Sequence, residues 1–267
     1  MKVKITLSII FLLLLSACAT SPTGRSQLMI VSEEQAISSS KAAYVEMLKP
    51  YDEKGQLDNS PELAARVRLI TGRLIAQAIK MRPETRDWEW SMKIIDDPET
   101  ANAWAMAGGK MAIYTGLIEQ VKPTDDELAQ VLAHEISHAL AKHTAEKMSV
   151  AMASQLGVAA VGAASDNSQL ALTGAALAAK LAVELPNSRT AEAEADRIGI
   201  ELAAKAGYDP RAAATLWQKM GSLSGGRPLQ FLSTHPSPEN RQQVLGELAK
   251  QMMPYYTAKG ARPSFYY

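Results

Sequence analysis

Apolar positions recur with a period near 3.6 over most of this chain and with a period of two over one short stretch. Ser32 to Leu48 and Ser60 to Lys80 each open on a hydroxyl residue able to cap a helix, with Pro61 at the first helical position of the second. Turn-rich Lys49 to Asn59 separates them. From Trp88 to Thr115 the pattern alternates, which predicts three strands, the last two joined as a hairpin by Gly108-Gly109. Thr124-Asp-Asp-Glu127 then reads as a capping box, and Leu128, Val131, Leu132, Ile136 and Leu140 continue at helical spacing.

Beyond it, Met148 to Leu185 is nearly all small and apolar, broken near Ser165 to Ser168. Each half reaches only the lower limit for a bilayer span, so two closely packed helices are the preferred reading and membrane insertion the lesser one. Asp209-Pro210 and Ser237-Pro238 mark two further helix starts, running through Met220 and Met252. The expected fold class is α+β: a mainly helical catalytic domain over 32–267, with a small sheet beside the helix that follows Thr124.

Composition narrows the function. Lys+Arg and Asp+Glu are both 28 among 267 residues, and no basic run gives a footprint for nucleic acid. The single cysteine excludes an intrachain disulfide. At 47% hydrophobic content the chain can bury one sizeable core.

The chemistry concentrates in His134-Glu-Ile-Ser-His138. Two histidines four apart on a helix share a face and can grip one metal ion, with Glu135 beside it. A catalytic zinc takes three protein ligands and keeps a fourth position open, so a further donor is needed. The long metzincin motif would place it at Thr144, which excludes that class. His143, nine residues past His134, projects to the opposite side of a continued helix and reads as a charge near its C-terminus. The helical segment Ser188 to Gly199 is the better source, because Glu192 and Asp196 share a face. Glu192 completes the ligand set for one Zn2+ per chain, and Asp196 accepts a hydrogen bond from a ligand imidazole. Glu194, about 200° round from Glu192, is expected outside, pairing with Arg197.

HEISH, the SR-x-x-E-x-E-A-D segment and a late His235-Pro236 with Arg241 six residues after the His together resemble the HtpX, OMA-type and prenyl-CAAX type 1 gluzincin peptidases, metallopeptidase family forty-eight, and more narrowly their bacterial lipoprotein members. The resemblance runs from about Asn102 to Arg241. It implies a zinc endopeptidase with Glu135 as catalytic residue and His134, His138 and Glu192 as ligands. Asn102, Ala103, Trp104, Ala105 and Met106 resemble the rim where such enzymes hold substrate as an added strand. Three readings of His235 stay open: a donor to the tetrahedral oxyanion, a fourth ligand that holds the enzyme latent, or a cap for the following helix.

The N-terminus carries a basic start and a short apolar run ending Leu15-Ser-Ala-Cys18, which reads as a signal peptide over 1–17 and resembles a lipobox with Cys18 as the lipidated residue. Residues 18–31 then form a flexible tether. Ala19, not Asp, follows the Cys, so resemblance to enterobacterial sorting rules implies a lipid-anchored protein at the periplasmic face of a bacterial outer membrane. Its expected substrates are unfolded or misassembled envelope proteins. A lipoprotein chaperone or scaffold for outer-membrane protein assembly, and a metal-storing structural protein, are the competing classes; an unliganded Glu135 argues against both.

Overall fold

The computed structural model describes residues 18–161, 187–223, 229–236 and 240–267. Strands β1 (Cys18–Thr20) and β2 (Ser26–Leu28) form a hairpin, followed by helices α1 (Glu33–Asp52) and α2 (Pro61–Met81). A one-turn 3-10 helix leads into β3 (Ser91–Ile95), β4 (Ala103–Met106) and β5 (Lys110–Tyr114). Helices α3 (Thr115–Val121), α4 (Asp125–Leu140), α5 (His143–Val161), α6 (Arg189–Ala206), α7 (Ala212–Leu223), α8 (Gln230–Thr234) and α9 (Arg241–Thr257) complete the described elements.

The sheet has the order β3-β5-β4, with β3 parallel to β5 and β4 antiparallel to it in the register Ala103↔Ile113 to Met106↔Lys110. Alternation along these strands separates two buried faces rather than a dry face from a wet one. Ile94, Ala103, Ala105, Met111 and Ile113 join the core built with α2, α4, α6, α7 and α9. Ile95, Trp104, Met106, Ala112 and Tyr114 join a second cluster under α1 and the start of α5. Gly108 and Gly109 make the β4–β5 turn at φ 76° and 73°. A Cβ at Gly109 would lie 2.3 Å from the Trp90 indole, so both the backbone and the neighbour require glycine there.

Several boundaries differ from expectation. Pro210 lies in a turn, and α7 starts at Ala212, after Arg211 has clamped Asp209. The expected break near 165–168, the helix after it, the start at Ser237-Pro238 and the leader 1–17 fall outside the described residues. The tail packs back on the body: Phe265 N–H donates to Gly72 O, and Arg262 donates to Lys205 O at the end of α6.

The stretch expected to be a flexible tether is instead ordered against the domain. Gln27, 2% exposed, donates from its amide to Ala141 O and Glu146, and Arg25 pairs with Glu146 and Glu194. Small polar residues suit a tether, but here they form a tight turn whose Arg and Gln reach buried acceptors.

Candidate metal centre

Helix α4 begins at the capping box read from the sequence. Thr124 Oγ1 accepts from Glu127 N–H, and Thr124 N–H donates to the Glu127 carboxylate. From Glu127 to Leu140 every residue is buried, so this helix is the axis of the domain. His134 and His138 lie one turn apart with Nε2 atoms 3.1 Å from each other. Helix α6 crosses α4 and delivers Glu192, whose Oε2 is 3.3 Å from His134 Nε2 and whose Oε1 is 3.4 Å from His138 Nε2.

These separations can be tested against a metal. Bonds of about 2.0–2.1 Å in a tetrahedron put neighbouring donor atoms about 3.3 Å apart; the two imidazole nitrogens are 3.1 Å apart, and the Glu192 carboxylate brings one oxygen to 3.3 Å from the first and its other oxygen to 3.4 Å from the second. Glu192 Oε2 is buried without an aligned donor, and two imidazole lone pairs converge on the same point. A cation belongs there. Two imidazoles and a carboxylate are the donor set of a catalytic zinc.

Electrostatics agrees. Burial alone would push His134 down, but the Glu192 and Asp196 carboxylates outweigh it and raise the imidazole to about 9, so the cluster takes up a proton if nothing else. Burial would raise Glu192, yet the facing His235 and His134 hold it well below the usual carboxylate range.

The surroundings orient these groups. Asp196 Oδ1 lies 3.0 Å from His134 Nδ1; the carboxylate can only accept, so Nδ1 donates, and Nε2 is the nitrogen that gives up its proton when a cation binds. Arg241 from α9 donates to both Asp196 oxygens at 2.7 and 2.6 Å, rests its guanidinium 3.6 Å from the Trp217 ring, and brings a terminal nitrogen within 3.2 Å of Glu192 Oε2.

Two residues stand where the sequence reading did not put them. His143 is 2% exposed, with Nδ1 2.7 Å from His138 Nδ1. The helical projection failed because α4 ends at Leu140, Lys142 adopts φ 59°, and α5 starts a new axis at His143. Glu194 is likewise inside, at 5% exposure, bonded to His143, Thr23 and Arg25 while Arg197 is exposed. The β1–β2 hairpin covers that face of α6, and a tether reading hides such a cover.

Glu135 is 2% exposed and holds Oε1 3.3 Å from His235 Nε2. Burial raises its pKa, partly offset by His235, by His134 and by a backbone hydrogen bond at Ala105. His235 follows α8, stacks on Phe231 at 4.3 Å and directs Nδ1 to Glu192 Oε1 at 3.0 Å and His134 Nε2 at 3.2 Å. Asn102, Ala103, Trp104, Ala105 and Met106 form the sheet edge beside α4, all buried, and Ala101 O accepts from Phe231 N–H. Glu135, His138, His143, Lys147, Asn187 and His235 are among the residues lining a cavity of about 20 Å³, room for one water and not for a peptide. Lys147, missed in the sequence, is pushed down to about 8 by burial.

A zincin-type metal centre on an α+β domain is therefore in place, and comparison with known proteins is consistent. Peptidase family M48 matches residues 61–249, and the chain belongs to that family. It is 36% identical over 243 residues to the bovine (Bos taurus) mitochondrial metalloendopeptidase OMA1, covering 86% of this chain and 46% of the relative. Against the OMA1 metalloendopeptidase of Schizosaccharomyces pombe it is 36% identical over 208 residues, 77% of this chain and 58% of the relative. Against the beta-barrel assembly-enhancing protease of Yersinia pestis it is 30% identical over 207 residues, 74% and 41%. The chain spans about half the length of these relatives.

The placement at a bacterial outer membrane is corrected by these findings, since the OMA1 relatives are mitochondrial proteins. A basic start and a short apolar run are features that leaders for different membranes share, so they do not assign one. Among the described residues no helix is long and apolar enough to cross a membrane.

Proposed function

We propose that this protein is a zinc-dependent endopeptidase that cleaves misfolded or misassembled polypeptides. The observation that carries the reading is the convergence of His134 Nε2, His138 Nε2 and the two oxygens of the Glu192 carboxylate at separations of 3.1 to 3.4 Å, with the Glu135 carboxylate beside them and outside the ligand set. Bound there, the ion would supply Lewis acidity, polarising a peptide carbonyl and lowering the pKa of water toward about 7. Glu135 takes the proton of the attacking water and passes it to the leaving nitrogen, a role favoured by a carboxylate whose pKa burial raises. Asp196 keeps the His134 proton on Nδ1, and Arg241 holds Asp196 in place.

Substrate is taken as an extended segment along β4, where main-chain hydrogen bonds bind with little regard to sequence. That suits a peptidase for misassembled proteins. Access requires the segment around Phe231 and His235 to move, since it occupies both the Ala101 carbonyl and the donor cluster. The test is casein cleavage by the purified protein with and without a chelator. Loss on chelation and recovery with Zn2+ are expected; chelator-insensitive cleavage would refute the reading.

A further inference from the structure

Of the two nitrogens on His138, Nε2 faces His134 and Glu192, while Nδ1 is turned to His143 at 2.7 Å. His143 Nε2 in turn stands 3.2 Å from Glu194 Oε2. A carboxylate only accepts, so neutral His143 carries its proton on Nε2 and presents Nδ1 as a bare acceptor. His138 must then donate from Nδ1, which leaves its Nε2 lone pair aimed at the metal position.

Glu194 is itself fixed from outside the catalytic helices. Thr23 Oγ1 donates to one oxygen at 2.5 Å and Arg25 Nε to the other at 2.8 Å. The remaining Arg25 nitrogens donate to both oxygens of Glu146 at 2.6 Å, and Gln27 donates to Glu146 at 2.8 Å. Thr23, Arg25 and Gln27 all belong to the β1–β2 hairpin. The hydrogen bonds therefore converge on Glu194, with the hairpin donating to it from one side and, from the other, His138 donating to His143 and His143 to the carboxylate.

We propose that the N-terminal hairpin is a working part of the metal centre: Thr23 and Arg25 hold Glu194, Glu194 sets the tautomer of His143, and His143 sets that of His138, so the hairpin tunes affinity for the divalent cation. His143, Glu194 and Arg25 are positioning residues. The inference rests on His134, His138 and Glu192 being the ligands. Cluster stability alone would not require any particular tautomer at His138.

The test uses the metal-depleted full chain, titrated with Zn2+ against a competing chelator, together with 15N-histidine spectra that report which nitrogen of His138 is protonated. His143→Leu removes the acceptor and should weaken Zn2+ binding about 10- to 100-fold, with the His138 proton moving to Nε2. His143→Gln offers a carbonyl to His138 and an amide to Glu194, and should restore affinity to within about threefold of the parent. Arg25→Met, at a position 21% exposed on its side chain, should shift both readouts the same way by a smaller amount. If His143→Leu does not fold, Arg25→Met and Glu194→Gln decide. Unchanged affinity and an unchanged His138 tautomer in the folded variants overturn the proposal, as does a His143→Gln variant as weak as His143→Leu. A parent that fails to bind one Zn2+ would instead bring down the ligand assignment itself.

Discussion

His235 Nδ1 stands 3.0 Å from Glu192 Oε1, as near as any expected ligand atom stands to its neighbours. With 3.2 Å to His134 Nε2 it completes a fourth corner of the donor cluster. A catalytic zinc keeps that corner for water or substrate, whereas four protein donors make a closed site. Stacking on Phe231, whose N–H is tied to Ala101 O at the start of β4, links the fourth corner to the sheet edge. The geometry thus favours the latch among the three readings of His235.

Opening that corner should release activity. His235→Ala is expected to raise basal peptide hydrolysis by several-fold to about tenfold, the gain available if only a minor fraction of molecules is competent in the parent. Initial rates on an unstructured peptide check it. A fall in kcat at constant KM would assign His235 to the oxyanion instead, and rates within about twofold of the parent would leave it a cap.

Glu135→Gln keeps the buried volume and removes the proton acceptor. Turnover should fall by about two to four orders of magnitude while metal analysis still finds one Zn2+ per chain. Substantial cleavage by the variant would show that another group moves the proton.

How much of this was legible depended on whether a signal was local. The capping box at Thr124, the i, i+4 histidines and the Glu192/Asp196 pair each lie within one helix, where a 3.6 period predicts which residues share a face. The β4–β5 hairpin was legible for the same reason, through two glycines. His143 was misread because a positive φ at Lys142 ended the helix that the projection assumed to continue. Glu194 was misread because its cover comes from Thr23 and Arg25, about 170 residues earlier, and no periodicity encodes that distance.

Removing the metal should change the pH dependence of stability. In the metal-free protein His134 is raised from 6.5 to about 9, so its contribution is fully present below 6.5 and is lost as pH rises through 9. Tm of the chelated protein should therefore decline across that window. With Zn2+ at a thousand times Kd, stability should rise by about 4 kcal/mol, and the alkaline decline should be absent because the imidazole is no longer protonated. Parallel Tm curves for the two forms would show that His134 does not carry the proton.

The crossing of α4 and α6 sets the distance between His134 and Glu192, and Gly199 makes that crossing possible. A Cβ there would meet His134 N at 3.0 Å, His134 Cα at 3.1 Å and Ala133 C at 3.2 Å, all backbone atoms that cannot swing aside. Gly246, within α9, has nothing within 4 Å of the same position. Alanine favours a helix over glycine by about 0.5–1 kcal/mol, so Gly246→Ala should stabilise by about that amount. Gly199→Ala gains the same local term but must push two packed helices apart, which costs about 1–3 kcal/mol. The two substitutions should therefore move the denaturant midpoint in opposite directions. Because the displaced backbone is that of His134, Gly199→Ala should also weaken Zn2+ binding, while Gly246→Ala leaves it unchanged. Equal midpoints and equal metal affinities in the two variants would mean that the helices have room to spare at the point where they build the site.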